Sequence, residues 1–302
     1  MKKEKILFFI FDLGYGGAEK VLTNLIKELD PGKYDITVQT LFDYGVNKKY
    51  LPNYIKYKTF FKRPPFRGIS YIQRLFSPRF LYKLIIKENY DIVIAYLENS
   101  TTRIISGCTS KETNKFAWVH NEKISKKSYQ NYKEFKESYE SFDKIAFVSE
   151  YAKEIFKQNY NDINIKGEVV NNTLDVPQII KRGEEKVDFE LNRQVVNFCS
   201  IGRLTHQKGY LRLLEVLNDL KKSNIKNWHF YLIGEGEQKL QIKNLIQKYN
   251  LENNITMLGF QDNPHKYLSK MDCFVCSSYY EGYSTAVTES VILKVPVLTT
   301  KC

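Results

Sequence analysis

No stretch of this 302-residue chain stays apolar over a length that would span a bilayer. The N-terminus, MKKEKILFFIFDLGYGG, has a basic start and an apolar run. That run is short, lacks a small-residue cleavage site and ends in a glycine loop, so it reads as a first strand and not as a secretory signal. Cysteine is sparse. Of five residues, Cys273 and Cys276 form a single C-x-x-C, with no second pair at zinc-site spacing. Its setting beside Phe274 and Val275 is that of a buried strand, and an odd, dispersed set suits a reducing cytoplasm. The glycine cluster LGYGGAEK has the spacing of neither the dinucleotide fingerprint nor the P-loop. No recognised nucleic-acid-binding module is present, which sets single-stranded nucleic acid aside as a partner.

What is present is apolar and basic. The composition is 43% hydrophobic with 22 Tyr and 19 Phe, which argues against disorder and for two cores in a chain of this length. The net charge of +12 favours anionic partners without choosing among nucleotide phosphates, nucleic acid and acidic lipid. Short apolar runs alternate with amphipathic stretches: KILFFIF, AEKVLTNLIKEL, YDITVQTLF, RFLYKLIIKEN, YDIVIAYL, TTRIISGCTS, KFAWVH, YKEFKESYESF, KIAFVSE, YAKEIFKQNY. That order predicts a parallel sheet with helices on both faces over residues 1–177. Residues 178–194, charged and without either period, read as a linker. The alternation restarts over 195–302 with VVNFCSIGRL, YLRLLEVLNDLKK, WHFYLIGEG, KLQIKNLIQKYN, NITMLGF, MDCFVCSS, AVTESVIL and VPVLTT. The fold class is therefore α/β, two Rossmann-like doubly wound domains. Ligands in such sheets bind at the carboxyl ends of strands, so the glycine loop, His120, Arg203, the GEG turn and Glu281 are expected to share one cleft. Further helices normally follow VPVLTTKC in a domain of this kind, so the second domain is expected to be incomplete.

Four stretches carry chemistry. Gly14, Gly16 and Gly17 let backbone N–H groups approach an anion at a helix start, or simply form a flexible turn. Arg203 and Lys208, in SIGRLTHQKG, lie between a strand and a helix. Arg offers a fork for phosphate oxygens and Lys a mobile charge, suited to a leaving diphosphate or to solvent alone. His120 ends a strand, where it can position a sugar hydroxyl or serve as a capping residue. In SSYYEGYSTAVTESV, Glu281 and Glu289 stand eight positions apart. On one helix that is about 12 Å, too far for a carboxylate pair and beyond the roughly 5–5.5 Å of retaining glycosidases. Ser284 is a plausible N-cap, which leaves Glu281 in the loop and Glu289 in the helix. The run Gly282, Tyr283, Ser284 and Thr285 between them then offers helix-start N–H groups to phosphate. Two separate acceptors with a phosphate site between them fit a nucleotide diphospho-sugar.

In order, LGYGGAEKVL, GRLTHQKG, LIGEGEQK and EGYSTAVTE followed by VPVLTT resemble retaining glycosyltransferases of family four, with the GT-B fold, over nearly the whole chain. The resemblance implies a catalytic set of His120 near the reacting sugar, Arg203 and Lys208 on the diphosphate, and Glu281 on donor-sugar hydroxyls. It implies donor contacts from Glu289 to the ribose, from the Gly16–Gly17 loop to phosphate and acceptor, and from Gly259 and Phe260 around the base. It implies transfer with net retention, without cofactor or metal, the leaving phosphate helping to deprotonate the acceptor. Two departures stand out. Lys294 occupies a position where the family has glycine, and the family continues past Cys302.

The segment FFKRPPFRGISYIQRLFSPRFLYK, residues 60–83, interleaves Arg63, Arg67, Arg74 and Arg79 with aromatic residues, as a surface for anionic lipid would or as a solvated basic loop would. The combined expectation is a cytoplasmic transferase, peripheral on the inner face of the plasma membrane. It would move a hexose or N-acetylhexosamine from a UDP-linked donor to a lipid-linked saccharide in surface polysaccharide synthesis. The rivals are a nucleotide-sugar 2-epimerase of the same fold and a truncated, non-catalytic sugar-nucleotide-binding protein.

Overall fold

The computed structural model describes residues 2–14, 16–66, 68–121, 124 and 126–301. The chain divides into two compact units, Met1–Thr173 and Leu174–Cys302.

The first unit holds seven strands: β1 (Glu4–Ile10), β2 (Tyr34–Phe42), β3 (Lys56–Phe61), β4 (Ile92–Ala95), β5 (Asn114–Val119), β6 (Lys144–Phe147) and β7 (Gly167–Val169). They lie in the order β3-β2-β1-β4-β5-β6-β7, every pair parallel. The continuous apolar run of β1 follows from its central place. Ile6, Phe8 and Ile10 enter the core on one face, Leu7 and Phe9 the core on the other. Its helices are α1 (Gly17–Glu28), α2 (Ile69–Arg74), α3 (Pro78–Ile85), α4 (Ser100–Ser106), α5 (Tyr132–Glu140) and α6 (Glu150–Asn159). The turn from α2 into α3 is set by Ser77, whose Oγ accepts the Phe80 N–H at 3.2 Å, with Pro78 at the first helical position.

The second unit holds α7 (Val176–Gly183), β8 (Val196–Ile201), α8 (Tyr210–Lys222), β9 (Trp228–Ile233), α9 (Lys239–Lys248), β10 (Ile255–Gly259), α10 (His265–Leu268), β11 (Cys273–Cys276), α11 (Thr285–Ile292) and β12 (Val297–Thr299). The sheet order is β10-β9-β8-β11-β12, again all parallel. In each unit the winding reverses beside the first strand of the sheet, between β1 and β4 and between β8 and β11. The crevice at the carboxyl end of such a switch point is where doubly wound sheets take ligands. Cys276 is buried in β11 and Cys273 half-buried at its start, both as free thiols, as the strand reading implied.

The structure departs from the sequence reading in two places. Residues 178–194 are not a free linker. They open inside α7, capped by Asp175 and with Ile179 buried, and continue through Val187, Phe189 and Leu191, which pack on the second unit's core. Phe189 stacks on Tyr231 at 5.2 Å and lies 5.9 Å from Tyr267. The alternation V-x-F-x-L carries the apolar face, and the charges between it point outward. Residues 60–83 are not one segment either, since Phe60 and Phe61 close the edge strand β3 and pack inward. Lys294, where the resemblance implies glycine, adopts φ +59° just after α11, the left-handed conformation that ends many helices and that glycine takes without strain.

Candidate functional site

Two groups of side chains stand at the two switch points, one in each unit. In the second unit the loops after β8 and β11 are laced together. Tyr279 N–H donates to the Gln207 carbonyl at 2.8 Å, and Gln207 Nε2 donates to the Tyr280 carbonyl at 3.0 Å. Ser277 Oγ donates to the Lys208 carbonyl, and Arg212 Nη2 donates to the Ser277 carbonyl, each at 2.8 Å. The Tyr279 ring is held between His206, stacked at 4.9 Å, and the Arg212 guanidinium at 4.2 Å. Gly209 makes the turn into α8 at φ +67°, where a side chain would run into the Ser277 carbonyl.

This lacing brings Lys208 Nζ to 2.6 Å from Glu281 Oε1, an oxygen that also accepts from Ser278 Oγ at 2.6 Å. Both side chains are largely withdrawn from solvent, 20% and 11% exposed, so the pair is screened far less than a surface one. The sequence named both residues but not their contact, and it missed Ser277, Ser278 and Arg212. Arg203 lies exposed on the same loop, at the end of β8. Ser284 is the N-cap of α11, its Oγ 3.5 Å from the Val287 N–H, with Thr285 the first helical residue. Gly282 is buried, and Tyr283 Oη accepts from Thr288 Oγ1 at 3.2 Å. Glu289 is buried inside α11 beside His265, whose Nε2 stands 3.3 Å away without hydrogen-bond alignment. The two glutamates therefore occupy separate environments, one in a loop on a lysine and one in a helix on a histidine. Gly259 ends β10 at φ +68° and accepts from Gly234 N–H at 2.8 Å, and Phe260 beyond it is exposed.

In the first unit, Gly16 caps α1 and Gly17 begins it. The Glu19 carboxylate lies against Gly16 where any Cβ would stand, and Gly14 N–H is already donated to Asp12 Oδ1 at 2.8 Å. His120 directly follows β5 and is only 8% exposed. Its ring packs at 4.9 Å on Tyr96, the residue after β4. Burial pushes its pKa down to about 3, against a hydrogen bond to the Tyr96 backbone that raises it. The imidazole is thus neutral near pH 7, able to accept from or donate to a hydroxyl. Its Nε2 has no hydrogen-bond partner among the described residues. Glu98 beside it was not singled out by any motif. It is buried, and burial raises its pKa while the N–H groups of Asn121 and His120 hold it down.

Of the basic segment, Arg67 lies outside the described residues. Arg63 is stacked 4.3 Å over Phe66, a half-buried ring that packs on Phe42 and Phe61. Arg74 donates to the Lys127 carbonyl at 2.6 Å and lies over Tyr71, and Arg79 is exposed. Beyond that reading, α2, α3 and the turn between them expose Tyr71, Ile72, Leu75, Phe76, Phe80 and Leu84, with Leu75 at 77% and Phe76 stacked on Phe80 at 5.2 Å. Among the described residues no helix is long and apolar enough to cross a membrane.

Two doubly wound parallel-sheet units, each with its polar loops at a switch point, are the GT-B architecture of sugar transferases. The profile described as Glycosyltransferase Family 4 matches residues 15–177, more than half the chain, and Glycosyl transferases group 1 matches residues 181–302. The chain belongs to glycosyltransferase family 4. Among similar proteins is an uncharacterized glycosyltransferase of Methanocaldococcus jannaschii, 28% identical over 74% of this chain; the match spans 58% of that protein. Another is N-acetylgalactosamine-N,N'-diacetylbacillosaminyl-diphospho-undecaprenol 4-alpha-N-acetylgalactosaminyltransferase of Campylobacter jejuni, 27% identical over 98% of this chain and 80% of its own length. Among solved structures, Anabaena HepE with UDP and glucose superposes with a TM-score of 0.73 at 17% identity, covering 99% of this chain and 81% of that one. Staphylococcus aureus TarM gives 0.72 at 16% identity, over 98% and 85%.

Proposed function

We propose that this protein is a retaining, metal-independent glycosyltransferase that moves a hexose or N-acetylhexosamine from a UDP-linked donor to a saccharide carried on a lipid diphosphate, in surface polysaccharide synthesis. The observation that carries this is the Lys208–Glu281 pair, held by the two laced loops at the second unit's switch point. It sets a cation for a diphosphate beside a carboxylate for sugar hydroxyls, in a site shielded from water. Arg203 supplies a second cation, and Gly282 to Thr285 supply the N–H groups of a helix start. Gly259 and Phe260 border the base, and Glu289 the ribose. Gly16 and Gly17 lie on the phosphate and acceptor side, and the neutral His120 meets a hydroxyl of the reacting sugar. The relatives support the two ends of the reaction. The Campylobacter protein is named for a diphospho-undecaprenol acceptor, and the Anabaena structure holds UDP and glucose. Incubation with a panel of UDP- and GDP-sugars and an undecaprenyl-diphosphate disaccharide, in chelator, followed by mass spectrometry and NMR of the product, tests it. An α-linked product from an α-linked UDP donor is expected. Conversion of the donor without acceptor would replace this function by epimerisation, and binding without turnover by a non-catalytic role.

The exposed apolar face of α2 and α3, rimmed by Arg74, Arg79 and Lys83, seats the protein at the cytoplasmic leaflet where such an acceptor resides. Each cation near an anionic leaflet contributes about 1 kcal/mol, and the apolar side chains add to it. Changing Leu75, Phe76 and Phe80 to Ser is expected to lower co-sedimentation with anionic vesicles at least about tenfold. Raising salt should weaken the parent's binding. Equal pelleting of variant and parent would remove the membrane role from this face.

A further inference from the structure

Beside His120 lies a carboxylate whose partners are unusual. Glu98, in the turn after β4, is 7% exposed. Its Oε1 accepts the backbone N–H groups of His120 and Asn121, the latter at 2.7 Å, and Asn121 Nδ2 lies 3.4 Å from Oε2. These partners are main-chain N–H groups and an amide, not a cation. Burying a carboxylate is costly unless its lone pairs are satisfied, so two successive N–H donors converging on one oxygen tie the acid firmly to the chain that carries them. That chain is the point where β5 ends. The carboxylate thereby sets the direction in which the backbone, and the imidazole with it, leaves the sheet. Two residues earlier in the same turn, Tyr96 packs on the imidazole ring and takes a hydrogen bond from it through its backbone. One turn after β4 thus holds His120 by main chain and by ring. The ring nitrogen left over, Nε2, is buried and has no partner among the described residues.

We propose that Glu98 is a positioning residue for sugar transfer, holding His120 so that Nε2 meets a hydroxyl of the reacting sugar; this rests on the role given to His120 in the proposed function. Glu98→Gln keeps an oxygen able to accept both N–H groups, whereas Glu98→Ala removes it. In steady-state transfer assays Glu98→Ala should lower kcat by about 10- to 100-fold, the scale of a catalytic group misplaced by a fraction of an ångström to one ångström. The KM for the donor should stay within about twofold and Glu98→Gln should recover most of the rate. In a His120→Ala background Glu98→Ala should cost no further rate, because it acts through the histidine. A folded Glu98→Ala at the parent's rate, with His120→Ala inactive, would overturn the positioning role and leave His120 in place. His120→Ala within a few-fold of the parent would overturn both. Should Glu98→Ala fail to fold, Glu98→Asp, which keeps the charge and withdraws the oxygen, goes through the same cycle. Losses there that add to those of His120→Ala would sink the proposal.

Discussion

Lys208→Met is expected to lower turnover by about 10²-fold or more at saturating donor, the scale of losing one preorganised charge at a leaving group. The side chain is held by Glu281 at 2.6 Å and by the lacing that fixes its backbone. A charge already aimed costs no reorganisation when the diphosphate departs, which is why its loss should appear in kcat more than in KM. Glu281→Gln should be slow for a second reason: it leaves Lys208 half-buried without its counter-charge and Ser278 with a weaker acceptor. The double variant should lose less than the two single losses combined, because each single change also unpairs the other residue. Strictly additive losses would mean that the two residues act independently and that their contact is incidental. A single-variant rate within a few-fold of the parent would take Lys208 out of the chemistry. Thermal unfolding in a Trp118→Phe background, which leaves Trp228 to report on the second unit, guards against confusing a lost fold with a lost step.

The largest stability effect is expected at Arg103, which is fully buried in α4. Its guanidinium forks onto Glu134 at 2.7 and 3.1 Å and donates to the carbonyls of Gln73 and Phe76, each at 2.7 Å. Arg103→Met should destabilise the first unit by about 3–5 kcal/mol, because a carboxylate and two carbonyls lose their donor while the cavity stays apolar. Adding Glu134→Leu should recover little, since Glu134 also accepts the Gln130 N–H at 2.6 Å at the start of α5. Urea unfolding in a Trp228→Phe background leaves Trp118 as the reporter of the first unit. A midpoint shift equivalent to less than about 1 kcal/mol would show that water replaces the guanidinium at no great cost.

Much of the fold is legible in the sequence. The apolar run of β1 reads as a central strand because both its faces are buried, and Ser284 reads as a cap because its hydroxyl has a helix N–H to accept. The strand β3 was not visible in this way. It lies at a sheet edge, so Lys56 and Lys58 alternate with Tyr57 and Thr59 and no residue in it is fully buried. Val187, Phe189 and Leu191 were hidden by the charges between them. Within the candidate site, residue type and place after a strand nominate Glu281, Lys208 and His120. Their partnerships are not legible there, because they are made by folding: Lys208 meets Glu281 across 73 residues, and Glu98 meets the His120 backbone across 22. A carboxylate that serves main-chain N–H groups leaves no spacing in the sequence by which to find it.

Helix α4 has only seven residues, about 10 Å of rise. Just ahead of its N-cap, Asn99, stands Glu98 and, through it, His120. From its middle Arg103 grips the carbonyls that close α2, and at its far end Gly107 packs so tightly on the Pro78 carbonyl that no side chain would fit. A short rigid spacer thus joins the greasy hairpin to the histidine. If the hairpin rests in the headgroups, the histidine works at a set height above them. The acceptor is then measured as well as recognised: a sugar too close to its lipid, or carried too many residues away, would miss the imidazole whatever its stereochemistry.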